Sequence, residues 1–177
     1  MKLKKATMED YDQIMGILRD GSNQLAEQGI DQWQGDYPNP DVVKKDIENG
    51  WAYLAESADV MTVGTIAVVD GPDESYANMK GNWLIDTDKY VVLHRVAIHS
   101  SHAGHGYASK LFVAVIDYIK EHRKDIETIR IDTHIDNKVM QHLITKHGFK
   151  KVCEVYGYYR PDEVLYVYAQ LTHSEDQ

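Results

Sequence analysis

Alternation of apolar and polar residues along the chain predicts eleven elements. Residues 3–6 read as a short first strand. Thr7 opens a helix with an acid three residues on, a capping-box-like start, and Tyr11, Ile14, Met15, Leu18 and Leu25 recur at helical spacing up to Gly29. Residues 30–40 hold aromatics and glutamines without a period and read as a loop. Asn39 and Pro40 are suited to the N-cap and first position of a second helix, which stops at Asn49-Gly50. Residues 51–55 and 61–69 form strands of a hairpin around a short polar link. Gly71-Pro72-Asp73 opens a surface loop reaching about residue 87. An apolar strand over 90–98 is interrupted by His94 and Arg95. A helix follows over 106–121 with Leu111, Val115, Tyr118 and Ile119 on one face. The remainder reads as a strand at 128–133, a helix at 138–146 closed by Gly148, and a hairpin at 151–156 and 164–171.

The order is β-α-α-β-β-β-α-β-α-β-β. Its strand–helix–strand segment requires a parallel pair and its hairpins antiparallel ones, so the sheet is mixed. With 177 residues, the chain is expected to form one domain over 1–172 and a loose tail over 173–177. A formal charge of -9 repels phosphate backbones, and no basic stripe offsets it, which argues against nucleic-acid binding. Apolar runs are too short to span a bilayer. The single cysteine, Cys153, excludes an internal disulfide and fits a buried strand thiol in a reducing compartment, with the cytoplasm as default.

Chemistry concentrates at Val96–Leu111, where a strand enters a loop with two closely spaced glycines and then a helix. Gly104 and Gly106 permit close backbone approach, and the amides of a helix start can hold a pyrophosphate without any cationic side chain. Small Ala108 keeps the helix start open. Alone, the glycine pair also describes an ordinary tight turn. The P-loop and dinucleotide fingerprints fit worse, because no Gly-Lys-Ser/Thr follows and no third glycine appears until Gly148.

The run Ala103-Gly104-His105-Gly106-Tyr107-Ala108 resembles the acetyl-CoA loop of the GNAT superfamily of N-acetyltransferases, Gln/Arg-x-x-Gly-x-Gly/Ala, with Ala103 in place of the leading Arg or Gln. A second run, from Asp136-Asn137-Lys138 to Gly148-Phe149, resembles that family's helix beginning at Asn and ending in Gly-Phe. With Leu3 to Asp12 matching the usual first strand and helix start, the resemblance covers nearly the whole chain. It implies a GNAT-like α/β (α+β) fold: a mixed, mostly antiparallel sheet with helices on both faces and a splayed parallel strand pair.

The resemblance further implies direct transfer of acetyl from acetyl-CoA to a primary amine of a small molecule or peptide within a ternary complex. Residues Ala103, Gly104, His105, Gly106, Tyr107, Ala108 and Ser109 then form the pyrophosphate loop, and pantetheine pairs with backbone at Val96 and Ile98. The Val96 amide polarises the thioester carbonyl. Asn137 either bonds the pantetheine arm or only caps its helix. The family often carries a Glu base on the strand bearing Val96. By parity His94 shares a face with Val96 and Ile98, and an imidazole suits the task, although a hydrogen-bonded structural histidine is the simpler reading. The family's acid, a Tyr seven residues after the Asn, corresponds to Ile144, which has no proton to give; either water protonates the leaving thiolate or another phenol substitutes, with Tyr156, Tyr158 and Tyr159 as candidates.

The acceptor is implied to lie under the loop carrying Gln32, Trp33 and Tyr37, unless Trp33 merely pins that loop to the core. His99, His102 and His105 lack a further ligand set, so no metal is expected. A homodimer is common among proteins of this kind. A CoA-binding module without turnover is the alternative that Ala103 and Ile144 favour.

Overall fold

The computed structural model describes residues 1–173; positions 174–177 of the tail expected to be loose lie outside them. Twelve regular elements appear among the described residues: β1 (Lys2–Lys5), α1 (Tyr11–Glu27), α2 (Pro40–Glu48), β2 (Ala52–Glu56), β3 (Thr62–Asp70), β4 (Met79–Gly81), β5 (Tyr90–Ile98), α3 (Tyr107–His122), β6 (Thr128–His134), α4 (Lys138–Lys146), β7 (Lys150–Tyr156) and β8 (Val164–Leu171). The architecture is mixed α/β, with mostly antiparallel pairing and one parallel pair, β5 with β6. The chain divides into two compact units, Met1–Val69 with His94–Val115, and Asp70–Leu93 with the residues from Ile116 onward. Strand β5 passes from the second into the first.

In the first unit, β1, β2 and β3 pair antiparallel, with Lys5 opposite Tyr53 and Tyr53 opposite Ile66. The C-terminal half of β5 lies beside β3, where the His99 amide donates to the Val63 carbonyl at 2.9 Å. Gly64 is required at this crossing. A Cβ there would stand 2.4 Å from the Ala97 carbonyl oxygen and 2.6 Å from Ile98 Cδ1.

The predicted caps form. The Thr7 amide donates to Asp10 at 2.9 Å, and the Val42 amide donates to the Asn39 side chain at 3.0 Å. Between Thr7 and α1 lies a single 3-10 turn, so α1 proper begins three residues later than the cap alone indicates. The periodic positions Ile14, Met15 and Leu18 of α1, joined by Ile17, pack with Val43 and Ile47 of α2, Leu54 of β2 and Ala97 of β5.

In the second unit the order is β5-β6-β8-β7-β4. The parallel ladder runs from Tyr90↔Thr128 to Leu93↔Ile131 and ends there, although β5 continues to Ile98. This is the splayed parallel pair. The stretch expected to be a surface loop is built in more firmly than its polar composition indicates. Met79–Gly81 adds an edge strand on β7. Buried Tyr76 donates to Asp132 at 2.7 Å, and the Arg130 guanidinium lies between the rings of Trp83 and Tyr90, 3.7 and 3.8 Å from their centroids. Burial pushes the Cys153 thiol up to about 11, which makes it an inert core group.

Replacing Gly64 with Ala is expected to cost about 1–3 kcal/mol, because the obstructing atom is main chain and cannot rotate away. A denaturant midpoint unchanged from the parent would contradict this close approach.

Candidate active site

Strand β5 is interrupted in the middle. Arg95 has φ +52, a left-handed conformation that is unfavourable for a residue with a Cβ. Its guanidinium, almost fully buried, grips Asp46 of α2 with both oxygens, Nε at 2.5 Å and Nη2 at 2.7 Å, while Nη1 donates to the Tyr37 hydroxyl at 2.6 Å. Burial pushes the Asp46 carboxyl up from its ordinary value, against the pull of Arg95. Burial also acts to lower the Arg95 pKa, but Tyr37 and Asp46 outweigh it and raise the value. One always-protonated guanidinium thus engages both Asp46 oxygens in a single bidentate pair.

This left-handed residue interrupts the regular backbone, yet exposure still alternates along the strand: His94, Val96 and Ile98 are half-buried, while Arg95 and Ala97 are buried toward α1 and α2. His94 is half-buried and close enough for its charge to act on Asp46. Beyond the interruption the strand is regular. Because the His99 amide and Ala97 carbonyl are directed at β3, the N–H groups of Val96 and Ile98 point to the opposite edge. On that edge the Ile98 carbonyl accepts from Gln24 Nε2 at 3.0 Å.

After β5 the chain makes a 3-10 turn, Ser100–His102, closed by the Ala103 amide on the Ser100 carbonyl at 3.1 Å. Gly104 and Gly106 follow at φ +83 and +69, and no atom lies within 4 Å of where a Cβ would stand on either. Both positions need glycine for conformation, and both leave open space in front of the main chain. The first helical bond is given by Lys110 to Gly106 at 3.1 Å, so the amides of Tyr107 and Ala108 precede the ladder of α3. Ala103, Gly104, His105 and Gly106 are exposed; Tyr107, Ala108 and Ser109 are half-buried. His102 and His105 flank the Tyr107 ring at 6.3 and 5.6 Å between centroids, and Lys110 Nζ stands 5.4 Å from it. Two imidazoles and an ammonium thus surround the loop whose leading position is Ala103. His99 is turned elsewhere, its Nδ1 on Ser101 and its Nε2 3.5 Å from Asp20.

The α1–α2 loop belongs to the same unit. Trp33, at φ +62, packs against the α1 core and fills the space in front of Gly21. Tyr37 is held by Arg95, and the Gln32 carbonyl accepts from Gln34 at 2.9 Å. The second unit carries the other two candidates. Asn137 is buried and caps α4, its side-chain oxygen accepting from the Met140 amide at 3.1 Å. Ile144 is fully buried in α4. Tyr156 ends β7 and is 45% exposed; its hydroxyl donates to Glu154, with Lys80 Nζ 4.7 Å from its ring. The Glu154 carboxylate pushes the Tyr156 phenol above its ordinary value.

Sequence reading did not single out Asp20, Gln24 or Asp46 as site residues. All three are polar groups on helices that otherwise show a regular apolar face, and only the fold reveals that they reach β5 and its following turn.

A family model described as the acetyltransferase (GNAT) family matches residues 23–149. The chain belongs to this family. A GNAT-family acetyltransferase from Streptococcus agalactiae is 32% identical, with 98% of this chain and 96% of that one covered and a TM-score of 0.84. Two more distant structures share the fold. A GNAT-family acetyltransferase from Listeria monocytogenes is 19% identical, covering 96% and 94% at a TM-score of 0.72. A spermidine N-acetyltransferase from Vibrio cholerae, solved with CoA and spermine, is 15% identical, covering 97% and 95% at 0.68. No curated protein matches. Among the described residues, no helix is long and apolar enough to cross a membrane.

Removing Arg95 strands a buried carboxylate. Arg95→Met is expected to destabilise the protein by about 3–5 kcal/mol, and the double change Arg95→Met/Asp46→Leu to recover most of that. A double variant no more stable than the single one, measured by urea unfolding, would show that the left-handed backbone at residue 95 needs the ion pair for more than charge balance.

Proposed function

We propose that the protein transfers an acetyl group from acetyl-CoA to a primary amine of a small molecule or peptide, by direct attack in a ternary complex. The observation that carries this reading is the open main chain at Gly104 and Gly106, running into a helix start whose first amides lie outside the helical ladder. Such a cradle binds a diphosphate through fixed dipoles, which suits a chain of net charge -9. Lys110 is assigned to add positive charge, and His102 and His105 to add hydrogen-bonding groups, where Ala103 replaces the family's Arg or Gln. The Val96 and Ile98 amides, turned away from β3, are the partners assigned to pantetheine.

In the reaction the amine nitrogen attacks the thioester carbon, a C–N bond forms and the C–S bond breaks. Val96 N–H stabilises the carbonyl oxygen as it gains negative charge, a contribution of a few kcal/mol at most such sites. The ammonium form of the acceptor must first lose a proton, and His94 is the candidate base, directly or through water. The departing thiolate takes its proton from water or from Tyr156. Asn137 spends its side-chain oxygen on the α4 cap, so any bond it gives to pantetheine comes from its amide nitrogen. Gln32, Trp33 and Tyr37 are assigned to the acceptor side of the site.

A second reading, a CoA-binding module without turnover, rests on Ala103 and on buried Ile144 at the family's Tyr position. Release of free thiol from acetyl-CoA across a panel of amines separates the two. Amine-dependent release supports the transferase, and CoA binding with no amine-dependent release supports the module.

Gly106→Glu puts bulk and negative charge into the cradle at a left-handed position and is expected to abolish CoA binding in calorimetry; retained affinity would remove the diphosphate assignment. His94→Ala is expected to lower kcat by about 100-fold, within the range of general-base loss, with the Kd for CoA unchanged. An unaltered kcat takes His94 out of the chemistry.

A further inference from the structure

The turn between β5 and the glycine loop is anchored from α1. Asp20 accepts three hydrogen bonds: from the Ser100 amide at 2.8 Å and from Gln24 Nε2 at 2.7 Å on one oxygen, and from Ser100 Oγ at 2.6 Å on the other. His99 Nε2 stands 3.5 Å from that second oxygen. Gln24 Nε2, oriented by Asp20, also donates to the Ile98 carbonyl. One carboxylate therefore fixes the main chain on both sides of residue 99. From Ser100 the 3-10 turn leads in four residues to Gly104, and its closing bond is accepted by the Ser100 carbonyl.

The electrostatics agree with an intact anchor at neutral pH. Burial acts to raise the Asp20 pKa, but the two Ser100 bonds and Gln24 outweigh it and hold the carboxyl below its ordinary value. A depressed acid contributes its stabilisation above the unfolded pKa and loses it as pH falls through the folded one. The anchor is therefore complete at pH 7 and is released only in acid.

We propose that Asp20 is a positioning residue for the cosubstrate: through its two bonds to Ser100 it sets the path of residues 100–103 and so aligns the glycine cradle for the diphosphate of CoA. This rests on the acetyl-CoA reading above. Asp20 lies on the helix before the acceptor loop and takes no part in bond making.

The test compares two acyl donors. S-acetylpantetheine has the thioester and pantetheine arm but lacks the diphosphate and nucleotide. Loss of two charge-assisted bonds in Asp20→Ala is expected to raise the Kd for CoA by about 10- to 100-fold. Its kcat/KM for acetyl-CoA should fall in proportion, while kcat/KM for S-acetylpantetheine stays within about threefold of the parent. Ser100→Ala, which removes only the hydroxyl bond, should fall between. Asp20→Asn preserves shape and decides the matter if Asp20→Ala does not fold. It is expected to weaken CoA binding, with Asp20→Glu restoring part of the affinity. Parent-like CoA affinity in the Asp20 variants overturns the proposal. Equal losses on both donors also overturn it, because the strand and not the cradle would then be disturbed. A parent protein that binds no CoA instead overturns the acetyl-CoA reading itself.

Discussion

Main-chain N–H groups that leave water need an acceptor, and β5 has two that no strand of its own unit supplies. The parallel ladder with β6 ends at Leu93, β5 runs on to Ile98, and β3 satisfies only the edge toward which His99 and Ala97 point. The edge bearing Val96 and Ile98 is left to another partner. A few residues later the same condition returns, in the glycine loop and the first turn of α3, where amides stand ahead of the helical ladder. Strand edge and helix start are consecutive in sequence. On the proposed reading, an extended ligand arm ending in a diphosphate meets both requirements in turn.

Two acids organise this stretch without belonging to the chemistry. Asp46 of α2 holds Arg95 in its left-handed conformation, and Asp20 of α1 holds Ser100 and, through Gln24, Ile98. Each reaches from a helix to a backbone segment that has lost regular pairing, and each supplies a short, charge-assisted bond in place of a ladder. Strain of this kind persists only where the surroundings fix it from several sides, and Arg95 has three such bonds. An overall charge of -9 is thus compatible with anion binding: part of the negative charge serves to place main-chain dipoles.

Most of the fold was legible from periodicity. The caps at Thr7, Asn39 and Asn137, the stops at Gly29, Gly50 and Gly148, and the apolar spacing of α1 and α3 are local signals, and the elements lie where those signals put them, apart from the 3-10 turn that delays α1 to Tyr11. Edge strand β4 was not legible, because three residues inside a polar stretch have no period to read and pair only once β7 exists. The same is true of Tyr76 and Trp83, whose burial depends on Asp132 and Arg130 from a distant strand. At the site, the glycines of the cradle could be found because a positive φ selects them. The left-handed backbone at Arg95 could not be found by counting, since nothing in a run of strand-forming residues marks a positive φ at an arginine. Nothing in the spacing of Asp20 or Asp46 distinguishes an acid on a solvated helix face from one that reaches across to β5.

Amide hydrogen exchange with and without CoA addresses the central claim residue by residue. The account predicts slowed exchange on CoA addition at Val96, Ile98 and the amides from Gly104 to Ala108, with little change along β1 and β2. Saturating CoA that leaves those amides exchanging at their free rate, or protects a different segment, would contradict it.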